Sequence, residues 1–298
     1  MLLVKIAYNN EQNFIDDIQG MKEILKNKGI RIAISEFMED ETHFIKIFCD
    51  ETQDIEEVRP KVLVYIANII YRVIIDNYRR NELLDYLTEN YFFLKHNEIL
   101  EVDKKIKTVL NEEGSITSER HLQCINNITK IENIINEFIR EDNFINIEGF
   151  IRFRLKPLRP IIEDIIDKVV EDYMVEKEYN EFINLLKYFV DIQESKIDIV
   201  NIYINEKGEY IVKDINGKDL LKRFRNELLE SKEPTNVNSE DIIISGLITN
   251  APKNIHIYNK KFCIHEEFLK TITSVFRERV DFIESKNILW NKVDNNIL

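Results

Sequence analysis

Four cations, Arg152, Arg154, Lys156 and Arg159, fall within eight residues of a chain whose formal net charge is -13. The chemistry such a cluster offers is anion binding. A guanidinium presents a planar fork of donors that matches a carboxylate or a phosphate. Two readings follow. In one, the cations pair with nearby carboxylates such as Glu176, Glu178 and Glu181 and hold helices together. Alternatively, they form an anion site for phosphate, a nucleotide or a nucleic-acid backbone. On an extended backbone Arg152, Arg154 and Lys156 share one face, whereas on a helix Arg152 and Lys156 align instead. The acidic balance repels nucleic acid and anionic membrane at long range. Screening beyond about 8 Å still permits a local basic patch.

Other reactive groups carry less. His256, Cys263 and His265 lie close in sequence but lack a CxxC pair and a fourth ligand, so a metal centre is not expected. The adjacent acids Glu163/Asp164 and Glu171/Asp172 read as solvated helix faces, since acid–base work needs burial or a partner to shift a pKa. Arg79 and Arg80 stand among Tyr78, Tyr86, Tyr91, Phe92 and Phe93. They would extend a basic, base-stacking surface if these rings were free, but core packing is the simpler use of the rings. Hydrolase, metalloprotease and phosphate-loop motifs are absent from the sequence. Only seven glycines are available for loops that must approach a phosphate closely. No catalytic residue, metal or cofactor is assigned.

These residues need elements to position them. A hydrophobic fraction of 44% with 32% charged residues describes a folded globular chain. Leu2–Tyr8 reads as a strand, and Phe14, Ile18, Met21, Ile24 and Leu25 recur at helical spacing. Lys28-Gly29 closes that helix. Ile30–Phe37 and Thr42–Cys49 read as strands joined by the acidic turn Met38–Glu41. From Asp54 to Glu194 nearly everything is helical. Pro157 and Pro160 are expected to break the basic stretch, with a fresh helix starting at Pro160. That helix directs Ile162, Ile165, Val169 and Val170 inward, and the next directs Tyr179, Phe182, Ile183, Leu186, Phe189 and Val190 inward. Glu112–Ser118 and Ser231–Asn238 read as loops. Ile197–Ile204 and Glu209–Lys213 form a hairpin, Asn254–Tyr258 alternates like a strand, and Glu266–Phe282 is helical. Ser285–Leu298 reads as a weakly ordered tail.

The expected architecture is therefore α+β and predominantly α-helical. A small βαββ unit (1–52) precedes a helical core (53–194), and a small C-terminal α/β unit with its tail follows (195–298). Three dispersed cysteines imply a reducing, cytoplasmic setting. The N-terminal apolar run is too short for a signal peptide. Asn68 and Arg72 interrupt the most apolar window, Val62–Ile75, so no membrane span is expected.

The order of these pieces resembles the YtxC-like family of sporulation proteins from spore-forming Firmicutes. The resemblance is carried by FIRFRL (Phe150–Leu155), EKEYNEF (Glu176–Phe182) and LLKYFV (Leu185–Val190). The hairpin around Gly208, APKNIHIYN (Ala251–Asn259) and TITSVFRERV (Thr271–Val280) follow in the same order. Alanine occurs only at Ala7, Ala33, Ala67 and Ala251, a bias consistent with a low-GC source. The resemblance implies a role in sporulation but supplies no catalytic residues. It marks Phe150, Arg152, Phe153, Arg154, Leu155, Glu178, Tyr179, Phe182, Lys187, Tyr188 and Phe189 as signature positions. The function it implies is a non-enzymatic interaction or regulatory factor with a protein partner. The alternatives are a nucleic-acid or nucleotide-binding protein using Arg152, Arg154 and Lys156, and an enzyme of unrecognised type.

Overall fold

A computed structural model describes residues 1–9, 14–111, 119–141, 143–229 and 238–284, the side chains of Glu119, Leu155 and Leu229 apart. The loop expected at Glu112–Ser118, most of that at Ser231–Asn238 and the tail Ser285–Leu298 lie outside the described residues. The chain divides into two compact units, Met1–Met174 and Val175–Leu298. Each has its own apolar core, and α-helix predominates over two small sheets. The expected α+β, mainly helical class is found.

The first unit begins as β1 (Leu2–Tyr8), α1 (Phe14–Asn27), β2 (Ile32–Glu39) and β3 (Thr42–Cys49). α1 ends where Gly29, at φ +79°, lets the chain turn back. The Ile30 and Gly29 N–H groups then donate to the Leu25 and Lys26 carbonyls, satisfying two orphan acceptors of the last turn. β1 and β2 flank β3 antiparallel, and a short strand β4 (Phe144–Asn146) adds parallel to β1 in the order β2-β3-β1-β4. β4 has no sequence signature, because three residues cannot display an alternation.

The helical middle comprises α2 (Ile55–Asn81), α3 (Leu83–Asn90), α4 (His96–Leu110), α5 (Glu119–Glu141) and α6 (Ile147–Ile192). Asp54 caps α2 by accepting the Glu56 N–H. Twelve side chains of α2 are buried, from Val58 to Tyr78, and they face several directions, which makes it the central helix of this unit. Asn68, the polar interruption in its apolar window, donates to Glu132 of α5 at 2.7 Å.

One expectation is corrected at α6, which runs through Pro157 and Pro160 without a break. The prolines remove the bonds that would reach the carbonyls of Phe153 and Lys156. Both of these residues are exposed, so water can serve the freed oxygens. Burial of Leu158, Ile162, Ile165 and Ile166 on the opposite side holds the helix to the core.

The second unit adds β5 (Ile199–Ile204), β6 (Tyr210–Asp214), α7 (Leu221–Leu229), α8 (Ser239–Asn250), β7 (Asn254–Tyr258), α9 (Glu266–Phe276) and β8 (Val280–Ile283). The sheet order is β6-β5-β7-β8, with the β5–β6 hairpin antiparallel and the other pairs parallel. The helix expected over Glu266–Phe282 is shorter. It stops at Phe276, Arg277 adopts φ +48°, and Val280–Ile283 pairs with β7. Edge pairing overrides the helical spacing there.

Candidate functional site

The helical backbone of α6 decides how its cations group. Arg152, Lys156 and Arg159 follow at steps of four and three and so share one face. Arg154 lies off that face, and its guanidinium carbon sits 5.0 Å over the ring of Phe138 on α5. Phe138 in turn meets buried Phe150 edge-on at 5.0 Å. Arg159 pairs with Glu82, which joins α2 to α3. One turn further on, burial raises the Glu163 carboxyl above the usual range despite the Arg159 charge.

Arg152 and Lys156 are exposed and make no ion pair among the described residues. Phe153 between them is 73% exposed. The carboxylates expected as partners, Glu176, Glu178 and Glu181, belong to the second unit, where Lys177 approaches Glu181 at 3.9 Å.

Arg79 and its aromatic neighbours are used internally. Arg79 donates to Asp103 at 3.0 Å with a largely covered side chain, and Arg80 donates to the Asp76 carbonyl. Tyr78 is buried. Tyr86 and Tyr91 both donate to the same Asp167 oxygen at 2.6 Å. Burial first, and then that hydrogen bond, raise both phenols well above their ordinary pKa. These rings hold α3 and its following turn against α6. Only Phe92 and Phe93 of the group are well exposed.

In the second unit the remaining signature residues divide between two faces of α6. Ile183, Leu186 and Val190 are buried, while Phe182, Tyr188 and Phe189 are exposed. The inward placement expected for Phe182 and Phe189 is therefore corrected. They sit one step around the helix from the buried row, which shares their spacing, so periodicity alone could not separate them. Tyr179 is half-buried, with its hydroxyl 3.3 Å from Thr271 Oγ1 and Lys270 Nζ 5.3 Å from its ring. Glu178 is exposed and Lys187 half-buried.

A polar cluster that joins Cys263 and His265 to two residues the sequence did not single out, Tyr210 and Glu240, lies at an open cleft of about 460 Å³ in this unit. Glu240, in the first turn of α8, accepts the Tyr210 hydroxyl at 2.5 Å and faces His265 Nδ1 at 3.0 and 3.1 Å. A carboxylate so placed favours the proton on Nδ1. The Cys263 thiol donates to the His265 carbonyl at 3.3 Å and lies 3.5 Å from Tyr210. Burial first, then these neighbours, raise the Tyr210 phenol. His256 instead faces Asp281 at 3.8 Å. Among the described residues no three His, Cys, Asp or Glu side chains gather as a metal site. Tyr210 and Glu240 are thirty positions apart, joined only by the fold, so no spacing could have revealed them.

Among the described residues, no helix is long and apolar enough to cross a membrane. No solved structure matches the chain. A curated relative, "Uncharacterized protein YtxC" of Bacillus subtilis (strain 168), is 20% identical over 237 residues, covering 77% of this chain and 80% of the relative. The profile of the YtxC-like family matches residues 64–281, which include the α6 signature, the β5–β6 hairpin and β7. The chain belongs to the YtxC-like family.

Proposed function

We propose that the protein is a cytoplasmic, non-enzymatic interaction factor of sporulation. Its partner is a protein segment carrying carboxylates beside an apolar residue. The observation that supports this is the exposed row Arg152, Phe153 and Lys156 at the start of α6: two cations without an ion pair among the described residues, around a ring left 73% in solvent. Charge complementarity points to an acidic partner, and the exposed ring to one with an apolar side chain to bury. Arg154 and Arg159 are engaged with Phe138 and Glu82, so they brace this row rather than extend it.

Nucleic acid fits less well. Affinity for nucleic acid grows with the number of phosphates neutralised by Lys and Arg, and this face offers two uncommitted cations on a chain of net charge -13. The test compares Arg152→Glu/Lys156→Glu and Phe153→Ser with the unaltered chain in the native spore-forming host, at matched protein levels. The reading predicts fewer heat-resistant spores for both variants. Normal spore counts overturn it. Salt-sensitive binding to DNA or RNA that weakens in the double variant also overturns it, in favour of a nucleic-acid role.

A further inference from the structure

The second half of α6 is apolar on two faces. Ile183, Leu186 and Val190 fill the core of the second unit. Val175, Phe182, Leu185, Phe189 and Ile192 form a separate row, joined by Tyr188, and are between 41% and 61% exposed. Their steps from Phe182 onward are three, four and three, the 3.5-residue spacing with which one helix packs along another. Val175 extends the row to about 26 Å at 1.5 Å per residue.

We infer that this row is a homodimer interface, in which α6 packs along α6 of a second copy. The first argument is area. Aromatic side chains expose about 150–250 Å² each when free, so six residues at these exposures present roughly 500 Å² of apolar surface per copy. Two copies reach roughly 1,000 Å², where specific interfaces begin. A patch of that size is at the upper end of what a monomer leaves in water.

The second argument is self-complementarity. A two-fold interface must present the same patch on both copies, and a regular three–four row interdigitates with itself. Exposed carboxylates flank both ends of the row, Glu178 and Glu181 at one and Asp191 and Glu194 at the other, so pairing in either direction brings like charges together.

This inference goes beyond the partner reading and uses other residues, so the two can fail separately. The full chain is studied by light scattering on a sizing column, from micromolar to hundred-micromolar concentrations. The expected mass is twice the 35.6 kDa of one chain. Leu185→Glu and Tyr188→Glu, at exposed positions, should each raise the dimer dissociation constant at least tenfold with unchanged circular dichroism. Asn180→Lys, off the row, should not. A monomeric wild-type chain overturns the inference. So does a dimer that survives both glutamate variants.

Discussion

The Arg154 guanidinium carbon lies 5.0 Å above the Phe138 ring, and that ring meets Phe150 edge-on at the same distance. The three form a stack that ties α5 to the start of α6. Arg154 thus acts as packing, while Arg152 and Lys156 face solvent. An exposed cation–π contact contributes about 0.5–1 kcal/mol. Arg154→Ala should lower stability by about that amount. A double-mutant cycle with Phe138→Leu, read from urea midpoints, should recover most of it as coupling. Additive effects would contradict the contact.

Asp167 is the shared acceptor for Tyr86 and Tyr91. Replacing it with Ala strands two half-covered hydroxyls, each loss being worth about 1–3 kcal/mol. Asp167→Ala should therefore destabilise more than removal of either single hydroxyl by Tyr→Phe. Equal or smaller loss by urea titration would count against the arrangement.

The tyrosines also set an alkaline limit. Burial, then the Glu36 hydrogen bond, push Tyr8 up from 10.0 to about 12, and Tyr78, Tyr86, Tyr91 and Tyr210 are raised too. A phenol whose folded pKa is raised binds its proton more tightly when folded. Its contribution is complete below pH 10 and is lost as pH climbs through 12. The melting temperature should fall steeply over that window. Absorbance at alkaline pH should show a set of phenols ionising only as the fold is lost.

Gly246 of α8 sits against the Phe224 ring of α7. An added Cβ would come within 2.1 Å of that ring. Alanine is the better helix former by about 1 kcal/mol, so helix propensity alone predicts that Gly246→Ala stabilises. Close packing predicts the reverse, a loss of about 1–3 kcal/mol. The sign of the change in melting temperature separates the two.

Much of the frame was readable in advance because it rests on local rules. Leu2–Tyr8 is a short apolar run, Asn254–Tyr258 shows strand alternation, and Gly29 marks the end of α1. The misses were settled by distant contacts. β4 exists because Phe144–Asn146 finds Lys5–Ala7. α6 passes its prolines because burial on one side holds it while water takes the other. In the candidate site the cations were visible as a cluster, but their division was not. Phe138 and Glu82, which engage two of the four, lie 16 and 77 positions away from Arg154 and Arg159.

The central claim is that Arg152 and Lys156 serve a partner rather than the fold. Its most direct test is the heat-resistant spore count of the native host carrying Arg152→Glu/Lys156→Glu, set beside the melting temperature of the purified variant. The account predicts a reduced count with an unchanged melting temperature. A normal count would contradict it, as would a count that falls only as far as the protein unfolds.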